Sequence, residues 1–546
     1  MRFRRPVGRL SFDAYLSSGR KITDFDRFLA LQSGRCINDI RDWRQGYSGN
    51  STKQLDGRVV ERRTNLWRAV LAEDLGTFTQ RILLATGFVP AYDMIDTSTS
   101  GFESYYELRT VAQPHQTSDY IPPLQRVHKS SHSIPSELAD RHLLTTKALL
   151  DELNYIFCTA VGGYHDHDPD LDHYLSNCIK LGWDLGTVYG HLRPWWHSYT
   201  LGDFTFSQIA AQMDLAEGYD SAVRANAVIL RRIAHPYMPP RRVWDLYSNR
   251  VLPYSALRGS QSLSIPCNLW TVSHSWVDEQ ERREILTNIN ARQWPIPIPK
   301  DITLDQVRVE LLNMGAEYVF LDVLCLRQYT PESDTEILRA EEWQTDVPTL
   351  GHVYRYDRYQ TTVVYFNGLG RPFNPEAKLL DTPIHWFNRA WTLQETTVNW
   401  LPGGLSSQTC ADWDGSYFMS RMRQAQLDLG HPTMRDPSFT DLLLAMQRRP
   451  GYAKKKPFDR VAAVSYLLLG NRPVIYDDRW PDAEAAWETL IPSLSGTDRL
   501  GLLLYNPRGT TTISPKSTIT WRPSWAEVMD EPQSVRIPPV PFANDE

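Results

Sequence analysis

Tyr318-Val319-Phe320-Leu321-Asp322-Val323-Leu324-Cys325-Leu326 is the stretch that decides the fold class. It is apolar almost throughout, as a parallel strand covered on both faces must be, whereas an antiparallel strand with one wet face would alternate. Asp322 interrupts the run. A carboxylate there must be hydrogen-bonded or lie at the C-terminal end of the strand, facing a crevice. Just upstream, Thr303 to Met314 reads as a helix. Thr303 and Gln306 make a capping-box pair, Gly315 closes the end, and Leu304, Val307, Leu311 and Met314 form one stripe. Before it, Leu269 to Val277 reads as a strand with Trp270, Val272, His274 and Trp276 on one face and Ser273 and Ser275 on the other. Downstream come a helix over Ile337 to Tyr354, kinked or split at Pro348, and a third strand over Thr361 to Phe366. A last helix is expected to start with Thr382 as N-cap and Pro383 in its first turn. Strand and helix alternating three times predicts an α/β fold with a parallel sheet and right-handed crossovers.

The rest of the 546-residue chain bounds the setting. Hydrophobic residues make up 42% and charged residues 22%, an ordinary globular balance. The formal net charge of -6 gives no support for a nucleic-acid partner, which needs a basic face. Lys454 to Lys456 read as a solvated loop. Six scattered cysteines with no CxxC pair suit a reducing compartment and free thiols rather than a cysteine zinc site. The basic N-terminus MRFRRPVGRLSF has no apolar run behind it, and the longest apolar stretch, Val461 to Leu469, is too short to span a bilayer. The expectation is a cytoplasmic protein with no membrane span.

The chain is expected to divide into a mainly helical region (1–240), a connecting segment (241–264), the α/β domain (265–400), a linker (401–435) and a helical, mixed C-terminal region (436–546). In the first region, Asn65 to Leu84 and His142 to Val161 carry helical spacing. His165-Asp166-His167-Asp168-Pro169-Asp170-Leu171-Asp172-His173 could ligate a metal, but reads first as a polar loop in which Asp170 or Asp172 caps the next helix.

The expected last helix holds the best clue to function. At about 100° per residue, Trp386, Ala390, Leu393, Thr397 and Trp400 share a packing face. Trp391 and Glu395 are four apart and therefore neighbours at its aromatic edge. A carboxylate beside aromatic rings is a functional candidate, and an exposed helix glutamate is the plain alternative. Arg389 lies about a third of a turn away on that wheel. There is no GxSxG elbow, HExxH, P-loop or GxGxxG to compete.

Three segments together resemble the HET domain, the heterokaryon incompatibility domain of filamentous fungi. They are Ser273-His274-Ser275-Trp276, Leu321-Asp322-Val323-Leu324-Cys325-Leu326-Arg327-Gln328, and Trp386-Phe387-Asn388-Arg389-Ala390-Trp391-Thr392-Leu393-Gln394-Glu395. They look like that family's "LSYxWG", "hDxxCIxQ" and "WxxRxWTxQE" signatures, in order, with Glu342-Trp343 and Val353-Tyr354 fitting the helix between. The likeness covers about a quarter of the chain. One departure is Val277, where the family has the glycine that ends its first motif.

The resemblance implies non-self recognition and programmed cell death after hyphal fusion. Trp391-Thr392-Leu393-Gln394-Glu395 is also similar to the "WCxxE" helix of TIR domains, whose glutamate, in the enzymatic members, cleaves nicotinamide from NAD. The implied fold is then a parallel-sheet, TIR-like (Rossmann- or flavodoxin-like) domain embedded between mainly helical regions. The implied catalytic residue is Glu395. Trp391, Arg389, Ser273, His274, Trp276 and Asp322 would line the substrate crevice, with no cofactor and no metal, and NAD as substrate. Arg389 would bind phosphate, brace the helix or pair with Asp322. For His274 and Asp322 the alternative is that each is a satisfied core polar group. A non-catalytic signalling scaffold that self-associates or recruits a regulatory protein is the competing reading.

Overall fold

The computed structural model describes residues 127–128, 131–157, 159–162, 168–257, 269–314, 316–330, 333–355, 361–374, 376–397, 400–404, 416–429, 439–449, 458–468, 473–504 and 523–530. The helix expected over Asn65 to Leu84, His165 to His167, Lys454 to Lys456 and four of the cysteines (Cys36, Cys158, Cys267 and Cys410) lie outside them. Cys178 and Cys325 are free and buried.

The centre is a six-stranded mixed sheet surrounded by helices. Its strands are β1 (Arg242–Asp245), β2 (Arg250–Pro253), β3 (Leu269–His274), β4 (Tyr318–Leu321), β5 (Thr362–Tyr365) and β6 (Trp400–Pro402). They lie in the order β6-β5-β3-β4-β1-β2. β6, β5, β3 and β4 are mutually parallel, while β4 pairs antiparallel with β1, and β1 with β2. The sheet is therefore mixed, where the sequence predicted a parallel one. The antiparallel pair comes from 241–264, which is not a mere connector. RVWD and RVLP are short enough, and close enough together, to close a hairpin. Its turn places Asn249 at φ 53°, in the left-handed region asparagine tolerates, and the Asn249 side chain accepts from the Trp244 indole at 3.1 Å.

Every residue of β3, β4 and β5 is buried, as expected for strands covered on both faces. β4 is shorter than its apolar run. Asp322 turns its carboxylate onto the backbone N–H of Val323 at 2.7 Å, and Asp322–Cys325 becomes a single helical turn. A short acidic side chain that satisfies its own backbone competes with the ladder. Between β3 and β4 lie an antiparallel ribbon (Arg282–Ile285 with Ile296–Pro299) and helix α1 (Leu304–Met314). The capping box of α1 is made as read: Gln306 N–H donates to Thr303 Oγ1 at 3.2 Å and Thr303 N–H to Gln306 Oε1 at 2.9 Å. The helix after β4 is split around Pro348 into α2 (Ser333–Asp346) and α3 (Leu350–Arg355).

The expected last helix does not form. Thr382 and Pro383 lie in turns, Trp386–Asn388 is one 3-10 turn, and Arg389 is extended at φ -90° and ψ 141°. Thr392–Glu395 is a single α-turn, and Thr396 is extended again. Threonine side chains cap and break this segment. Thr392 Oγ1 donates to the carbonyls of Trp386 and Arg389, and Thr396 Oγ1 to that of Thr392. Trp400, placed on the helix from sequence, opens β6 instead.

One apolar core runs through the whole arrangement, from Ile134 across the sheet to Met529. On the hairpin side, helix Leu185–Thr200 sends Arg193 to Asp245 at 2.7 Å and to Glu317. Helix Pro169–Lys180 is capped by Asp168, which accepts from the N–H groups of Asp170 and Leu171. The capping residue is thus the aspartate before Pro169 rather than Asp170 or Asp172, because proline fits the first helical position and the cap must precede it. Among the described residues, no helix is long and apolar enough to cross a membrane, and no cluster of His, Cys, Asp and Glu could hold a metal ion.

Candidate functional site

The parallel strands follow one another from the centre outward: β3 lies between β4 on one side and β5 on the other. The connections leave β3 and β5 in opposite directions, which makes their carboxyl ends a topological switch point, the place where open α/β sheets bind ligands. The candidate residues gather there. β3 ends on Ser273 and His274, Trp276 follows it, Asp322 comes directly after β4, and the single turn Thr392–Glu395 lies across them.

Glu395 ends one hydrogen-bonded chain. The buried Trp386 indole N–H donates to Ser273 Oγ at 2.6 Å, and Ser273 Oγ donates to Glu395 Oε2. The serine hydroxyl is both acceptor and donor, so Trp386 orients it and it orients the carboxylate. Burial first, and then the nearby negative Asp322, push the Glu395 carboxyl from 4.5 up to about 7, against the opposing pull of Ser273, His274 and Arg389.

Asp322 is the centre of a second chain. His274 Nε2 lies 2.8 Å from Asp322 Oδ1, and the Trp276 indole donates to Oδ2 at 3.1 Å. Burial alone disfavours both charges. The mutual attraction of the pair outweighs it, so the His274 imidazole is held above its ordinary range and the Asp322 carboxyl below its own. The two chains interleave because Ser273 and His274 are consecutive residues on β3 and leave it on opposite faces, as the alternation predicted. Asp322 does not pair with Arg389. The Tyr354 hydroxyl donates to the Val272 carbonyl at 2.8 Å, and burial and then the charge of Glu395 drive its phenol up.

Arg389 is half-buried, and its Nη1 donates to the Trp276 carbonyl at 3.2 Å. The helical wheel pointed it away from Glu395, but the extended backbone at Arg389 removes that constraint. Burial lowers the guanidinium pKa, and the charges of Glu395, Asp459 and Asp322 pull it back up. Trp391 is half-buried, with its ring facing Tyr466 at 6.1 Å and Tyr476 at 6.0 Å between centroids. These tyrosines come from the C-terminal region, so that region forms part of the wall beside the site.

Two contributors escaped the sequence reading. Trp386 was placed in the core, which is right about its burial and misses its indole donor; a tryptophan facing a strand serine was the available signal. Arg449 is buried behind the turn, donates to Thr392 Oγ1 at 2.7 Å and to the Arg389 carbonyl at 3.2 Å, and lies over the Trp386 ring at 5.7 Å. No local pattern in the sequence marks it. Comparison with family models, curated proteins and solved structures found no match.

Proposed function

We propose that this is a HET-type protein of regulated cell death whose crevice cleaves NAD in the manner of an enzymatic TIR domain, with Glu395 as the reacting carboxylate. The observation that carries the reading is the setting of Glu395: a carboxylate fixed by the Ser273 hydroxyl at the carboxyl ends of parallel strands and raised to about 7 by burial and Asp322. The strand order supports it too. Counted from β3, the parallel strands run second, first, third, fourth, the flavodoxin-like order that carries its ligand at this switch point.

The chemistry fits a carboxylate with little acid help nearby. Nicotinamide departs from a pyridinium, so the C1′–N bond breaks with its electron pair going to the ring nitrogen, and the leaving group is neutral. The ribose carbon becomes oxocarbenium-like. Ionised Glu395 stabilises that cation or adds to it, and water then completes ADP-ribose with loss of a proton. Ser273 holds the carboxylate oxygen in place. The pair of His274 and Asp322 sets the local field, and Trp391 offers a ring edge for the base.

Purified chain incubated with NAD should release nicotinamide, and Glu395→Gln should lower that rate by about a hundredfold or more, the loss usual for a group that acts on the transition state. Equal rates in the two proteins would overturn the reading. Cell killing that survives Glu395→Gln would favour the signalling scaffold.

A further inference from the structure

The single turn Asp322–Cys325 is too short to satisfy its own carbonyls with a following helix. Side chains from three separate places in the chain take them instead. The indole of Trp294, buried in the turn of the ribbon between β3 and β4, donates to the Val323 carbonyl at 3.3 Å. Arg242, the first residue of β1, reaches the Cys325 carbonyl at 3.5 Å. Gln328, just downstream, donates to the carbonyls of Asp322 at 3.3 Å and of Leu326 at 2.9 Å.

These donors are themselves fixed, and by shared partners. Glu342, on α2, accepts from Arg242 with both carboxylate oxygens, at 3.0 and 2.5 Å, and is ion-paired with Arg327 at 3.5 Å. The Arg242 and Arg327 guanidinium groups both lie over the Trp294 ring, 5.1 and 5.0 Å from its centroid. One carboxylate and one indole thus join the hairpin, the ribbon, α2 and the segment after the turn. Next to Glu342, the Trp343 indole donates to the Arg327 carbonyl at 2.7 Å. Next to Arg242, Arg241 binds Asp346 of the same helix at 2.8 Å. All three charged side chains of the cluster are mostly buried. For stability alone, apolar side chains of similar volume would serve as well or better. What the polar cluster adds is a fixed orientation of the turn that begins with Asp322.

We infer that Trp294, Arg242 and Glu342 are positioning residues that aim the Asp322 carboxylate at His274 and Trp276. Asp322 acts on both titrating groups of the site. The charged groups that face His274 are Asp322 and Glu395, and those that face Glu395 are Asp322, His274 and Arg389. Asp322 holds the His274 imidazole up and pushes the Glu395 carboxyl up, so a turn that drifts lowers both. The hairpin β1–β2 is thereby tied to the site through Arg242. The inference rests on the reading above for the reaction that the site performs, and not for the aim of Asp322.

The test is titration of the His274 ring by carbon-edited NMR on the whole chain, its signal assigned as the one missing from His274→Gln. Trp294→Phe keeps an aromatic ring and removes the donor to Val323. Arg242→Met removes the contact with Cys325 and the main hold on Glu342. Each should lower the His274 pKa by about one pH unit and move the midpoint of the pH–rate profile for NAD cleavage to lower pH. Arg193→Met, which breaks a buried ion pair at the other end of β1, should destabilise the chain and leave the His274 titration where it is. Circular dichroism checks that each variant is folded. A His274 titration unmoved in Trp294→Phe and Arg242→Met overturns the inference, and so does an equal shift in Arg193→Met, which would show general loss of packing. A shift confined to the first two variants, in a chain that does not cleave NAD, supports the positioning role and sinks the proposed reaction.

Discussion

Ser273 shows how one small side chain can set the behaviour of a buried carboxyl group. Its hydroxyl accepts from Trp386 and donates to Glu395, and that donated hydrogen bond lowers the carboxyl against the burial that raises it. If the ionised form is the reacting one, activity should rise with pH through about 7. Ser273→Ala removes the stabilising donor, so the Glu395 pKa moves further up and the midpoint of the pH–rate profile moves to higher pH. A midpoint that stays still or moves down would show that Ser273 does not hold the carboxylate. This part of the site was legible in sequence only as separate residues. Alternation put Ser273 and His274 on opposite faces of a strand, and the apolar run singled out Asp322. Which of them meets Glu395 depended on the backbone at Arg389, where no periodicity applies.

Elements tell the same story of local chemistry against pattern. The buried strands and α1 were readable because long apolar runs and a capping box are local signals. The segment from Thr382 to Trp400 was misread because a helical spacing of aromatics also fits a folded sequence of turns. Its threonine hydroxyls bond to nearby carbonyls and end each turn early. The hairpin β1–β2 was missed because two four-residue strands carry too few alternations to register. At the other edge, α1 holds β5 and the end of β6 through Glu310, whose carboxylate accepts from the Tyr365 hydroxyl at 2.9 Å and from Gly404 N–H at 2.8 Å. Burial pushes this carboxyl from 4.5 up to about 7. Its folded-state pKa is thus raised, so the stability it contributes is full below 4.5 and is lost as pH rises through about 7. Urea unfolding of wild type and Glu310→Gln should therefore show a difference that shifts in favour of the variant as pH rises across that window. A difference that is flat with pH would contradict the assignment.

At the scale of the whole molecule, the sheet is not closed off from its flanks. Arg193, from a helix of the mainly helical 1–240 region, reaches Asp245 on β1 and Glu317 before β4, with only 2% and 0% of the Arg193 and Asp245 side chains exposed. Removing one member of such a pair leaves a buried charge alone, which costs about 3–5 kcal/mol. Arg193→Met should lower unfolding free energy by that order, and an effect under about 1 kcal/mol, the range of exposed pairs, would show the contact to be superficial. From the other flank, Tyr466 and Tyr476 wall Trp391, and Arg449 braces the turn that carries Glu395. Helical regions on both sides are thus built into the site's surroundings.

All of this converges on one carboxylate. The direct measurement is nicotinamide release from NAD by the whole purified chain, wild type against Glu395→Gln, across a pH series centred on 7. The account predicts release by wild type that climbs through that midpoint and is all but lost in the variant. Release that Glu395→Gln leaves intact, or none from a folded wild-type chain at any pH in the series, would contradict it.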